Sequence, residues 1–511
     1  MDLFMQGFAD ILNPFTVGLV LMGTIVGIIF GSVPGLTAVM AIALFLPITF
    51  GLGPIDGMAL LMALYIGGVS GGLISAILIN IPGTPASVAT CFDGAPMARN
   101  GQGFKALGVG TVFSFIGTIF SVVALAFIAP WLATVALKFG PWEYFAVAVF
   151  SLTLISGLAG KSLVKGLISA VLGFLFTTVG VAPIDSIPRY TFGLTDFRSG
   201  FNILTVLIGL YAISEILATA ANKNATIGKV NMVEIGKGFG FTWKEFFEQK
   251  WNCLRSALIG IGIGILPGIG GATSNILAYS VARSQSRYPE KFGTGIIDGI
   301  VASETANNAT VGGAMIPMMC LGIPGDAATA MLLGGLIIHG LTPGPLLFVN
   351  SADVVYSVFA SMILASCAML AIQMFGLRVF AQVLRAPKHY LLPVVMVLCV
   401  VGAFGLNNRI FDIWSILIFG LVGFAIVKMD IPGPPMILGF VLGGMVETNL
   451  RRGLMHSNGS IAPLFTQPIP CAFMIITIVS VFFIARKNIK TSLEASRKAK
   501  AALQAAAPAA R

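Results

Sequence analysis

Apolar stretches of about 20 residues recur along almost the whole chain, and this constrains the fold more than any other feature. They run near 16–33, 36–52, 58–80, 105–130, 143–158, 163–181, 202–220, 253–282, 296–322, 352–376, 390–406, 411–427, 433–447 and 468–485. Each is long enough to cross a hydrocarbon core of about 30 Å. In that core a chain must satisfy its own backbone hydrogen bonds, which leaves helices and closed barrels. Continuous apolar runs of this length select the helix over the alternating strand. Only 10% of the 511 residues are charged, against about 25% in soluble domains. The expectation is an all-α polytopic integral membrane protein with roughly a dozen transmembrane helices. The first fifteen residues hold no Lys or Arg, so no signal peptide is expected.

Within those apolar stretches the chain repeats itself. Gly31-Ser-Val-Pro34-Gly35-Leu returns as Gly264-Ile-Leu-Pro267-Gly268-Ile. Ile81-Pro82-Gly83-Thr84-Pro85-Ala86-Ser87 returns as Ile323-Pro324-Gly325-Asp326-Ala-Ala328-Thr329. The offset is 233 for the first pair and 242 for the second, and the extra residues fit the polar segment 283–295. Paired Gly/Pro interruptions in two halves point to the binding site of a secondary transporter. The halves are residues 1–220 and 253–485, separated by a polar cytoplasmic linker at 221–252 and followed by a basic cytoplasmic tail at 486–511. Phe241-Thr-Trp-Lys-Glu-Phe-Phe in the linker reads as an interfacial amphipathic helix. Seven spans precede the second copy on this count, and an odd number gives inverted repeats. A re-entrant hairpin at 16–52 would remove that parity.

Pro removes a backbone donor and Gly permits strained angles. Helices are therefore expected to stop and restart at all four Pro-Gly pairs. Thr84 is a good N-cap and Pro85 suits the first helical position. Asp326 and Thr329 hold the places of Thr84 and Ser87. Each restart offers free N–H groups and the positive end of a helix dipole, so two converging restarts can hold an anion without arginine. The expected carboxylate-binding residues are Gly35, Thr37, Gly83, Thr84, Ser87, Gly268, Thr273, Asn307, Asn308, Gly325 and Thr329, with the Ser274 hydroxyl beside them. Unwound carbonyls nearby suit a cation. The competing structural reading is that small residues merely allow tight helix packing.

Ser303-Glu304-Thr305-Ala-Asn307-Asn308 is polar in mid-segment, where ionisable groups are costly. Glu304, Asp326 and Asn307 are the ion-coupling candidates, for sodium or a proton. The bland alternatives are a Glu304 at the membrane face and an Asp326 that only caps its helix. Asp93-Gly-Ala-Pro-Met-Ala-Arg99 reads as a cytoplasmic turn or, functionally, as a gate.

Other chemistry is not expected. Ser156 to Ser162 looks like a phosphate loop but has Ile155 where that motif needs Gly. The six cysteines are scattered singly, and His339, His389 and His456 are isolated. No catalytic residues, no metal site and no cofactor are therefore expected. The net charge of +10 comes from basic loops that read as cytoplasmic, not from a nucleic-acid face. The C-terminus is placed in the cytoplasm on that basis. Arg451-Arg452 does not fit the scheme.

Seven segments resemble the large membrane subunit of the tripartite tricarboxylate transporter family, TctA. They are Gly31-Ser-Val-Pro-Gly-Leu-Thr37, Tyr65-Ile-Gly-Gly-Val-Ser-Gly-Gly72, Asn80-Ile-Pro-Gly-Thr-Pro-Ala-Ser87, Phe92-Asp-Gly-Ala-Pro-Met-Ala98, Gly264-Ile-Leu-Pro-Gly-Ile-Gly270, Ser303-Glu-Thr-Ala-Asn-Asn-Ala309 and Gly322-Ile-Pro-Gly-Asp326. The resemblance implies a multi-pass importer subunit of a bacterial inner membrane. It implies two partners, a small four-span membrane subunit and a periplasmic solute-binding protein. It also implies uptake driven by a sodium or proton gradient rather than ATP. Citrate-like tricarboxylates are the implied substrates, with dicarboxylates and aromatic carboxylates as alternatives.

Overall fold

Pro and Gly set the helix boundaries of this chain. The computed structural model describes residues 2–158, 162–221, 239–383 and 388–486, nearly all helical. Most of the polar linker, part of the phosphate-loop-like stretch and the tail after 486 lie outside the described residues. Helix α1 (Asp2–Ile11) leads to Asn13, whose side chain accepts the Thr16 N–H and caps α2 (Pro14–Ser32). The chain breaks at Pro34-Gly35, with Gly35 at φ 91°, and α3 (Ala38–Thr49) restarts under a Thr37 cap. Helix α4 (Pro54–Ile79) ends on left-handed Asn80. After Pro82-Gly83 a short turn leads into α5 (Val88–Met97) and α6 (Gly103–Ala136). Helices α7 (Pro141–Leu158) and α8 (Leu163–Thr177) follow. Then come α9 (Ile203–Leu207), α10 (Ser214–Ala221) and the short α11 (Trp243–Glu248), which starts on a Thr242–Glu245 capping box.

The first pattern then returns. Helix α12 (Lys250–Ile265) breaks at Pro267-Gly268, with Gly268 at φ 73°, before α13 (Gly270–Gln285). Helix α14 (Ile297–Leu321) ends on left-handed Gly322, the counterpart of Asn80, and α15 (Ala327–Ile338) restarts after Pro324-Gly325. The remaining helices are α16 (Leu347–Asn350), α17 (Ala352–Val383), α18 (Lys388–Asn407), α19 (Ile410–Lys428), α20 (Gly433–His456), α21 (Pro463–Thr466) and α22 (Pro468–Arg486). All four expected breaks are present. Seven described helices are long and apolar enough to cross a membrane, and five shorter ones are apolar. Two expected spans are different: 253–282 is realised as the two 16-residue helices α12 and α13, and 36–52 as the 12-residue α3, about 18 Å long at 1.5 Å per residue. Span counting therefore does not fix the orientation of the repeats.

The helices form two compact units that cut across the sequence halves. Residues 1–138 and 201–425 make one unit, and 139–200 with the chain from 426 make the other. In the first unit α4 and α14 are buried along almost their whole length. Helix α4 packs on α2, α3 and α17, while α14 packs on α12, α13 and α6. Since α6 and α17 hold equivalent places in the two copies, each copy lends its last helix to the other's central one. This is an isologous arrangement. The preceding short helices follow suit: α1 meets α17 through Phe4 and Tyr356, and α11 meets α6 through Phe246 and Phe113. Small residues permit the approach. A Cβ on Gly264 would lie 2.7 Å from the Thr310 carbonyl oxygen.

In the second unit α20 packs on α7 and α8. A two-residue ladder pairs Gly180–Val181 with Pro188–Arg189. Arg189 binds Glu447 with both terminal nitrogens, at 2.6 and 3.1 Å. Arg451 binds Asp185 at 2.9 Å and Glu447 at 3.0 Å. The arginine that does not fit the positive-loop pattern is thus neutralised by acids, and its guanidinium holds the Asp185 carboxyl below the usual range.

Candidate functional site

The four breaks pack in two pairs, one in each copy. A Cβ on Gly83 would run into the Gly31 carbonyl oxygen, just ahead of the first break, and lie 2.9 Å from Gly72 Cα. Gly325 meets Gly264 and Ala314 in the same way, and Gly268 N–H donates to the Gly325 carbonyl at 2.7 Å. The start of α13 then joins the pairs. A Cβ on Gly270 would stand 3.0 Å from Asp326 Cβ. One on Gly271 would stand 2.6 Å from Asn307 Oδ1 and 3.1 Å from Ala86 Cβ. The 16-residue α13 has no side-chain cap, so its first N–H groups and the positive end of its dipole face this junction.

Asn307 is the polar side chain there. It is 1% exposed, and neither its Oδ1 nor its Nδ2 has a hydrogen-bond partner. Thr84 Oγ1, 7% exposed, is also unpartnered. Leaving such a group unmade costs about 1–3 kcal/mol. The offset of 242 maps Asn307 onto Tyr65 and Thr84 onto Asp326. At those equivalent positions the two copies are joined by a hydrogen bond: Tyr65 OH donates to Asp326 Oδ2 at 2.5 Å. Asp326 Oδ1 also accepts the Thr329 N–H at 2.8 Å, and the Thr329 hydroxyl accepts the Asp326 N–H at 2.8 Å. Asp326 is therefore a working N-cap.

The other expected residues fall in three groups. Ser87 is consumed locally, accepting the Thr84 N–H at 3.3 Å and donating to the Thr84 carbonyl at 2.9 Å. Thr37 caps α3, and Ser274 hydrogen-bonds Thr310 at 2.7 Å. Thr273 lies in the first turn of α13 but is exposed. Asn308 is not free: its Oδ1 accepts from Ser70 at 2.7 Å and its Nδ2 donates to the Glu304 carbonyl at 3.2 Å. Glu304 is fully buried in mid-helix, not at a membrane face. Thr90 donates to its Oε1 and Ser114 to its Oε2, the latter at 3.0 Å.

Three residues were missed by sequence reasoning. Tyr65 is one, although its alignment with Asn307 is a readable signal. Asn275 accepts the Ala89 N–H at 2.8 Å and donates to the Ser303 carbonyl at 3.2 Å, tying α13 to α5 and α14. Tyr279 donates to Asp93 at 2.9 Å. The expected turn at 93–99 is instead helical through Met97, because Asp93 is buried. Its Oδ1 accepts the Gly293, Gly295 and Ile296 N–H groups at 2.8, 2.9 and 3.1 Å. A cavity of about 670 Å³ opens beside this knot, lined by Phe92, Tyr279, Arg283 and Phe292 among others.

The long apolar helices define a polytopic membrane protein, in which broken helices from two sequence copies meet beside a buried unpartnered amide. The family follows from comparison. The chain belongs to the tripartite tricarboxylate transporter TctA family, whose profile matches residues 17–438. It is 32% identical over 488 residues to a protein of Agrobacterium vitis named "Uncharacterized 52.8 kDa protein in TAR-I ttuC' 3'region". That match covers 95% of this chain and 96% of the relative. A second protein of the same organism, "Uncharacterized protein in TAR-II ttuC' 3'region", is 30% identical over 229 residues, 45% of this chain and 95% of the relative. No solved structure matches.

Proposed function

We propose that this chain is the large permease subunit of a binding-protein-dependent secondary importer of carboxylates. It works in a bacterial inner membrane with a small four-span subunit and a periplasmic solute-binding protein, and its C-terminus is cytoplasmic. A sodium or proton gradient drives uptake. Citrate-like tricarboxylates are the first substrate class to test, followed by dicarboxylates and aromatic carboxylates.

One observation carries the reading: the Asn307 amide is buried without a partner at the uncapped start of α13, beside the restart of the other copy. A substrate carboxylate placed there accepts from the α13 N–H groups and from Asn307 Nδ2. The Thr84 hydroxyl supplies a further donor, and the dipole balances the charge. No lysine or arginine is needed, so the anion is held without the desolvation of a buried cation.

The test is uptake of radiolabelled citrate, succinate and benzoate into proteoliposomes holding the full chain and both partners. Gradient-driven uptake by the wild type should fall about 10- to 100-fold in Asn307→Ala, the range for one hydrogen bond to a charged group. Normal uptake by that variant would sink the assignment. Flux that ignores both gradients and the binding protein would make the protein a channel instead.

A further inference from the structure

Two negative charges held one helix turn apart on α14 repel each other. Glu304 stands one turn earlier on α14 than Asn307 and is fully buried. The groups around Glu304 carry no opposing charge. Helix α5 presents Thr90 and Cys91, α6 presents Ser114, and α13 presents Asn275, which holds the Ser303 carbonyl. Helix α12 presents Cys253, bonded to Thr305, and α4 presents Ser70, bonded to Asn308. The nearby acids are committed elsewhere: Asp93 to the 293–296 backbone and Tyr279, Asp326 to Tyr65 and Thr329. Among the described residues, the ion pairs of this protein do not include Glu304.

An ionised Glu304 in this setting has only neutral donors to hold its charge. A second carboxylate bound to Asn307 would lie about 6 Å away, the spacing of residues one turn apart on a helix. At an effective dielectric of about 20, two negative charges at that distance repel enough to weaken binding roughly 100-fold. A protonated Glu304 removes this penalty, and its new O–H can donate to the Thr90 or Ser114 oxygen.

We infer that a carboxylate binds at Asn307 only while Glu304 carries a proton, so that proton and substrate cross the membrane together. This inference rests on the substrate site proposed above. The proton enters Glu304 from the side where substrate loads and leaves it to the other side after release. The linkage makes the protein a proton symporter and makes Glu304 a coupling residue that need not touch substrate.

The test compares wild type, Glu304→Gln and Asn307→Ala in proteoliposomes with both partners, using citrate, succinate and benzoate as probes. Counterflow exchange and accumulation under an imposed pH gradient are read separately. Wild-type apparent affinity should fall about tenfold per pH unit above the Glu304 titration. Glu304→Gln, neutral at every pH, should exchange substrate with no such pH dependence and lose gradient-driven accumulation at least tenfold. Retained pH-driven accumulation in Glu304→Gln overturns the inference. So does wild-type accumulation that follows a sodium gradient at fixed pH and ignores the proton gradient. A Glu304→Gln protein that elutes as folded but neither binds nor exchanges overturns it as well. Wild-type binding by Asn307→Ala would instead sink the substrate site, and with it the basis for the coupling. Failure of all three probes in the wild type would sink the importer reading itself.

Discussion

The two restarts after the paired Pro-Gly breaks occupy equivalent places in the repeat and are finished differently. In the second copy Asp326 brings its own carboxylate to the N-terminus of α15 and takes the Tyr65 hydroxyl from the other copy. In the first copy Thr84 brings no charge, and Asn307, which holds the place of Tyr65, is left with both polar atoms unpaired. Duplication explains why the two places share a backbone. The substitution of one carboxylate by one hydroxyl explains why one is structurally closed, and the other is where we propose that an outside anion binds. Asp326 thereby shows, within the same molecule, how this backbone holds a carboxylate.

The sharpest way to break the comparison is to make the first restart like the second. Thr84→Asp should place an internal carboxylate where substrate is proposed to bind. Carboxylate exchange should then fall about 100-fold or more, the scale of like-charge repulsion in a partly buried site, while the protein still elutes as a folded species. Unchanged exchange would sever the link between the two restarts.

Stability should respond in the opposite order. Asp326→Ala removes a cap worth about 1–2 kcal/mol and strands the buried Tyr65 hydroxyl at a further cost of about 1–3 kcal/mol. Thermal unfolding of the detergent-solubilised protein should drop accordingly. Thr84→Ala should cost nothing measurable or stabilise slightly, because the buried hydroxyl it removes makes no hydrogen bond. Asp326→Asn keeps the capping oxygen and should fall between the two. Equal losses for the two alanine variants would mean that both restarts are structural.

A milder test concerns the breaks themselves. Gly268→Ala forces a Cβ onto φ 73°, at a cost of about 1–2 kcal/mol. Gly262→Ala, in the α12 helix with open space around it, should stabilise by up to about 1 kcal/mol. The same unfolding measurement separates them.

The smallest effect lies at the two short helices that precede the copies. Helix α1 meets α17 mainly through aromatic rings, whereas α11 is also pinned to α6 by Lys105 and Glu245. The lysine holds the Glu245 carboxyl down to about 2, below an unfolded value of about 4.3. A lowered value means that the contact stabilises above about pH 4.3 and fades as pH falls toward 2. Protection of the Trp243–Glu248 amides, taken relative to their intrinsic exchange rates, should fall between pH 5 and pH 3 more than that of the α1 amides. Glu245→Gln should show the lower protection already at pH 6.

Much of the architecture was legible because its causes are local. Pro-Gly pairs stop helices wherever they stand, and Thr37, Thr84 and Asp326 mark restarts by residue type alone. The recurrence of these signals gave the repeat. Length misled at 36–52, where twelve helical residues and their flanks read as one span. The Asp93 turn was misread because nothing near residue 93 announces the backbone N–H groups of residues 293–296.

The site divides in the same way. Asn307 and Glu304 were readable as polar groups in an apolar segment, since burial of either needs a reason. That Asn308 is spent on Ser70 while its neighbour Asn307 is left unpartnered depends on which face of α14 meets α4 and α6. That Tyr65 completes Asp326 depends on a contact across 261 positions. The sequence by itself determined the membrane, the helix breaks and the capping chemistry, because these follow from hydrophobicity and backbone sterics over a few residues. The tertiary structure alone decided which polar groups are satisfied, because hydrogen-bond partners in a helical repeat are chosen by packing between segments far apart in the chain.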